Sequence, residues 1–183
     1  MRVIAGSARG VPIRAPRDRA TRPVTDRVKE TLFGILGDRV PDARVLDLYA
    51  GSGALGIEAL SRGASQATFV ERGRDALAAI RDNLERTRLA AAASVHGGDV
   101  LRFLANDPGQ PPYDLAFLDP PYEEHAILAP LERLVPLLAP LASVVVKHFW
   151  RTEVPTPPGL ARWRDRRFGE TALTFLVRDV EEP

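Results

Sequence analysis

The spacing of apolar residues changes character at about residue 43. Before it, residues 1–20 set two short β-prone pieces, Arg2-Val3-Ile4-Ala5 and Val11-Pro12-Ile13, among Gly6, Gly10 and Pro16. That pattern predicts a small hairpin or extended arm. Val24, Val28, Leu32, Ile35 and Leu36 then recur on one helical face, and Thr25 or Asp26 can cap its start. After residue 43 apolar runs alternate with amphipathic stretches. Strands are expected over 44–49, 67–71, 94–96, 114–118 and 143–146, with two more over 160–168 and 172–177 joined around Gly169-Glu170. Helices are expected over 24–36, 53–62, 75–88 and 126–138, with a turn of helix near 101–104.

Near-continuous apolar strands joined by helices predict an α/β fold: a mostly parallel seven-stranded sheet with helices on both faces. The closing hairpin adds one antiparallel strand. The chain divides into a basic N-terminal hairpin or arm, 1–20, and a single domain, 21–183.

Composition narrows this picture. The 183 residues are 45% hydrophobic and 27% charged, the balance of a globular protein. No apolar stretch approaches the roughly 18–20 residues of a membrane span. The first residues lack the layout of a signal peptide. With no cysteine there is no disulfide, thiol nucleophile or Cys-bound metal. His96, His125 and His148 have no metal-binding spacing. A cytoplasmic monomer with no membrane or metal partner is expected. Net charge is +1, yet residues 1–40 hold nine basic against four acidic side chains. A basic segment on a near-neutral body is a candidate polyanion contact, or a solvated arginine-rich surface.

Chemistry enters at the end of the first strand. Gly51, Gly53 and Gly56 follow it in G-x-G-x-x-G spacing, between strand and helix. Glu71 ends the second strand, placed for a ribose diol or left as a solvated strand-end charge. Asp99 follows the third, as a ligand or as a helix N-cap. A pyrophosphate on the glycine loop needs positive potential. Asp47 precedes the glycines, and Asp119 comes from the neighbouring strand end. These carboxylates favour a ligand that is cationic at its reacting centre, S-adenosylmethionine, over a dinucleotide; a loop kept for packing is the remaining alternative.

The fourth strand ends in Asp119-Pro120-Pro121-Tyr122. An exocyclic base amine is a poor nucleophile because its lone pair is delocalised into the ring. Two acceptors on its hydrogens draw it out of plane. The Asp119 carboxylate and the Pro120 carbonyl can be those acceptors, held with little reorganisation by two rigid prolines. Tyr122 can stack on an unstacked base. The plain alternative is a strand end with a stiff loop.

The chain resembles the RsmD family of 16S rRNA guanine-N2 methyltransferases, with a Rossmann-like class I methyltransferase fold. The resemblance rests on residues 22–33 (Arg22-Pro23-Val24-Thr25-Asp26-Arg27-Val28-Lys29-Glu30-Thr31-Leu32-Phe33), on 45–64 around the glycine loop, on 117–122 and on Phe168-Gly169-Glu170-Thr171. It implies that Asp47, Gly51 and Gly53 hold the methionine part of S-adenosylmethionine, Glu71 the ribose and Asp99 the adenine. Tyr49, Ser52, Arg72 and Val100 complete the cofactor set, and Asp119, Pro120, Pro121 and Tyr122 hold the target amine. Arg22, Thr25, Arg27 and Lys29 would grip RNA or sit at the cofactor mouth. Thr25 and Asp26 equally suit capping, and Lys29 can pair with Asp26. Glu58 is expected as a helix-surface charge. Arg162, Arg164, Arg166 and Arg167 form a second basic cluster, facing RNA or solvent. The implied product is N2-methylguanine in 16S rRNA of the 30S subunit. Rival readings are a DNA or other RNA amino-methyltransferase, or a non-catalytic S-adenosylmethionine- or RNA-binding module.

Overall fold

The computed structural model of the protein describes residues 1–16, 24–107, 111–120 and 127–179. Its seven strands are β1 (Arg44–Leu48), β2 (Gln66–Glu71), β3 (Ala93–Gly97), β4 (Tyr113–Leu118), β5 (Leu138–Phe149), β6 (Leu160–Phe168) and β7 (Thr171–Arg178). They form one sheet in the order β3-β2-β1-β4-β5-β7-β6. Strands β1 to β5 pair in parallel, and β7 runs antiparallel between β5 and β6. The helices are α1 (Asp26–Leu36), α2 (Ala54–Ser61), α3 (Arg74–Thr87), α4 (Val100–Asn106) and α5 (Leu128–Leu134).

Alternation along each strand explains why both faces are covered. Val45, Phe69, Leu115, Phe117 and Val145 point into one core with side chains of α1, α2 and α3. Leu46, Leu48, Val70, Ala116, Leu118, Val144 and Val146 point into a second core with α4 and α5. Phe33 of α1 meets Phe117 edge-on, with ring centroids 5.8 Å apart. This is a strand buried on both sides, which is why its sequence reads as an unbroken apolar run.

Two expected elements differ. The helix expected over 126–138 ends at Leu134 and tightens into a 3-10 turn, Val135–Leu137. Pro136 lacks the amide donor that an α-helix would need. The chain then enters β5 early, with a register shift opposite Tyr113 and Leu115 and Leu141 at φ 60°. The N-terminal segment is docked rather than extended: one bridge, Arg2 to Pro12, closes it. The Ser7 amide donates to the Ser61 carbonyl at 2.8 Å, and the Ala8 amide to Ser61 Oγ at 2.9 Å. Val3, Ala8 and Ile13 join the same core as α1 and α2. The expected boundary at residues 20 and 21 lies outside the described residues.

Candidate active site

In a parallel sheet the strands deliver their C-terminal ends to one edge, where ligands bind. Here β1, β2, β3 and β4 open a cavity of about 410 Å³. Its wall includes Tyr49, Gly51, Glu71, Arg72, Asp99, Val100 and Asp119. So most of the proposed cofactor residues, from three strand ends, converge with the first residue of the Asp-Pro-Pro-Tyr run.

The loop from β1 to α2 is shaped by its neighbours. Gly53 sits at φ 76° as the N-cap of α2, in the left-handed region open to glycine at little cost. Gly56 allows α2 to lie on β2: a Cβ there would stand 2.3 Å from the Phe69 ring. The freed Gly56 amide donates to Asp47 Oδ2 at 2.9 Å. Asp47 is 2% exposed, and neither it nor Ser52 nor Gly53 lies on the cavity wall. Burial pushes its carboxyl well above the usual carboxylate range; the Gly56 amide opposes this, and the charges of Asp119 and Glu71 add to it.

Glu71 holds the other side of the loop. Its Oε2 accepts from the Gly51 amide at 2.9 Å, and Oε1 accepts from Arg72 and Gly73 amides at 2.8 and 2.7 Å. Oε1 has both lone pairs engaged, and Oε2 keeps one for a further donor. Asp99 caps α4 through the Arg102 amide at 2.9 Å, as the capping reading expects, and it also lines the cavity. The wall thus carries carboxylates at several points and glycine amides at the loop. This set fits a cationic ligand with a diol and opposes a pyrophosphate.

Asp119 follows β4, and its amide reaches the Leu48 carbonyl at 3.3 Å. Sequence reasoning missed its partner. Lys147 of β5 donates to Asp119 Oδ1 at 2.6 Å and Oδ2 at 2.8 Å. The signal was available: a lysine continues the apolar run of β5, and Leu118 pairs with Val146 in the register. The next residue of each strand is therefore adjacent. Burial raises the Asp119 carboxyl, and the charge and hydrogen bonds of Lys147 lower it, with a net rise. Pro120 is buried beside it; Pro121 and Tyr122 lie outside the described residues, as do Arg22 and His125.

The residues proposed to meet RNA separate. Thr25 caps α1, accepting from the Val28 amide at 3.4 Å, and stays exposed like Arg27. Lys29 does not fit the expectation. It is 0% exposed, so it cannot reach an RNA phosphate, and it does not pair with Asp26, which meets Arg2 at 3.3 Å. Lys29 Nζ instead reaches Glu58 Oε2 at 3.2 Å and the Arg2 carbonyl. Glu58 is likewise no surface charge: at 0% exposure it also accepts from the Ile4 and Ala5 amides and Arg62 Nε. At the far end of β5, Arg167 stacks over Trp150 at 3.6 Å and Arg151 at 4.7 Å. Most of β6 is exposed, including Arg162's neighbours Arg164, Arg166 and Arg167.

Residues 1–177 match the family model described as Conserved hypothetical protein 95. The chain belongs to that family. Ribosomal RNA small subunit methyltransferase D of Escherichia coli is 36% identical over 186 residues, covering 99% of this chain and 91% of that protein. YlbH of Bacillus subtilis is 38% identical over 182 residues, covering 97% and 99%. The solved structure of yhhF from Escherichia coli superposes with a TM-score of 0.82 at 35% identity, covering 98% of each chain. Together with the strand order, these place the fold among Rossmann-like class I methyltransferases.

Proposed function

We propose that this protein transfers the methyl group of S-adenosylmethionine to an exocyclic amine of ribosomal RNA. The observation that carries the reading is Asp119: a carboxylate held by Lys147 on the wall of a cavity that Glu71, Asp75 and Asp99 also line, and followed directly by Pro120. The name of the Escherichia coli relative supports ribosomal RNA as substrate. The family resemblance points further, to N2 of a guanine in 16S rRNA, in the assembled 30S subunit.

When bound, the cofactor supplies an electrophilic methyl on a sulfonium. Tyr49, Gly51, Glu71, Arg72, Asp99 and Val100 would hold it, with Asp47 holding the Gly56 amide, and Ser52 and Gly53 completing the turn. Asp119 and the Pro120 carbonyl would accept the two amine hydrogens, and Pro121 and Tyr122 would fix and stack the base. The methyl would pass from the sulfonium, with its C–S bond as the one broken, to the amine nitrogen, and Asp119 or solvent would take the amine proton. Arg22, Thr25 and Arg27 would face RNA, with the exposed arginines of β6 extending the surface. Single-domain action as a cytoplasmic monomer completes the reading.

The test is transfer of labelled methyl to naked 16S rRNA, to 30S subunits lacking the modification and to duplex DNA, followed by nucleoside identification. N2-methylguanosine from subunits is the expected product. Label on DNA would favour the DNA amino-methyltransferase, and tight cofactor binding without turnover would favour the non-catalytic module.

A further inference from the structure

Of 25 basic residues in the chain only two are lysines, Lys29 and Lys147. Both are buried and each meets a carboxylate. An ammonium is a compact point charge, unlike the wide guanidinium used elsewhere on this protein. The lysine of the second pair, whose carboxylate partner lines the cavity, has no place in the reading above.

We propose that Lys147 is a positioning residue for methyl transfer: its ammonium fixes the Asp119 carboxylate as an oriented, ionised acceptor and leaves its cavity-facing lone pairs to the target amine. The inference rests on the methyl-transfer reading of this site.

The geometry separates this pair from a purely structural one. Lys147 reaches both Asp119 oxygens from the β5 side, at 2.6 and 2.8 Å, which fixes the carboxylate plane. The Lys147 side chain is 7% exposed and that of Asp119 22%, so the open side of the pair belongs to the acceptor. An ionised carboxylate offers about four lone-pair sites, and the ammonium engages one on each oxygen. The others remain for an amine without displacing Lys147.

Electrostatics makes the same point. Asp47 faces Asp119 from β1, and Glu71, Arg72, Arg74, Asp75 and Asp99 ring the cavity. His148, next to Lys147, turns away to Thr174 and the Phe149 carbonyl. Burial favours the protonated form of Asp119, and Lys147 is the leading influence that opposes it. A protonated Asp119 has one acceptor fewer and cannot take the amine proton.

Two readouts test this on the full-length protein. The first needs no RNA or cofactor: carboxyl NMR titration of carbon-13-labelled aspartate, with the Asp119 signal assigned by its loss in Asp119→Asn. Lys147→Met keeps the stem and removes the charge. Its Asp119 midpoint should rise by about one unit or more above wild type, while Lys147→Arg stays near wild type. An unchanged midpoint overturns the proposal. The second readout is kcat against pH on subunits. In Lys147→Met the acid limb should move to higher pH and kcat at neutral pH fall about tenfold, recovering as pH rises, with KM for RNA within about threefold. Unchanged kcat and limb, or a loss confined to KM, overturns it. Where the Met variant loses its fold, Lys147→Gln carries the same titration. A shifted midpoint in a protein whose wild type transfers no methyl overturns the transfer role itself.

Discussion

The two buried lysine–carboxylate pairs have the same chemistry and opposite surroundings. Glu58 is closed: Lys29, Arg62 and the amides of Ile4 and Ala5 all donate to it, and both partners of the lysine pair are 0% exposed. Asp119 is open: the Lys147 ammonium holds one side and the cavity the other. A saturated carboxylate can only hold parts together. One with lone pairs in reserve can bind a substrate. The difference separates a clamp on the N-terminal segment from a site of chemistry, and substitutions on each should report differently.

The largest effect is expected at the clamp. Glu58→Ala leaves Lys29 as a buried, uncompensated charge, which costs about 3–5 kcal/mol. It also orphans the Ile4 and Ala5 amides. Thermal denaturation should show a midpoint lower by roughly 10 °C. The double variant Lys29→Met with Glu58→Leu removes the stranded charge and should recover only part of the loss, because the two amides stay unpaired. Full recovery would mean that the ion pair alone mattered. Methyl transfer per folded molecule should be unchanged in both.

At the open pair activity is lost as well. Asp119→Ala should reduce methyl transfer by about 10²–10³-fold, the scale for removing one preorganised transition-state hydrogen-bond partner. Cofactor binding, measured by calorimetry, should stay close to wild type, while the melting temperature falls as well, because Lys147 is left buried without the Asp119 charge. Retained transfer would sink the role given to Asp119.

This contrast was only half legible in the chain. The glycine loop and Asp119-Pro120-Pro121-Tyr122 are contiguous, and each follows an apolar strand, so the parallel topology alone brings them to one edge. The mostly parallel seven-stranded sheet followed from the same alternation, whereas the order of its strands is set by packing between segments distant in the chain. The clamp was hidden because it joins segments 29 residues apart or more. Spacing on the helix offered Lys29 a partner in Asp26, but docking of the N-terminal segment gives Asp26 to Arg2 and turns Lys29 inward. Glu58 looked like a surface charge because a lone Glu in a helix usually is one. Lys147 was lost when its strand was ended at Val146; a buried lysine in an apolar run needs a carboxylate, and the register names it. Pro136 was enough to stop α5, yet the apolar spacing beyond it imitates more helix.

A moderate effect is expected from pH. The Asp47 and Asp119 carboxyls are raised by burial. From the ordinary carboxylate range up to each raised midpoint, the folded protein binds more protons than the unfolded chain. Stability therefore falls as pH rises through that window. A bound sulfonium favours the ionised forms, so cofactor binding should release protons and tighten with rising pH over the same window. Asp47→Asn keeps an acceptor for the Gly56 amide and should flatten both trends. Melting curves and calorimetry in buffers of different ionisation enthalpy measure them; a slope unchanged in Asp47→Asn would assign the effect elsewhere.

The smallest effect distinguishes the cations of α1. If Arg27 meets an RNA phosphate, Arg27→Gln should lower the slope of log affinity against log salt by about one, with little change in kcat. Lys29→Met should leave the slope unaltered, since a lysine closed between Glu58 and the Arg2 carbonyl releases no counterion from RNA. Arg164→Gln and Arg167→Gln, on the exposed edge strand β6, extend the series away from α1. If their slopes fall while that of Arg27→Gln does not, the RNA lies along the β6 edge and not across α1. Thr25 and Lys29 would then contribute capping and packing alone.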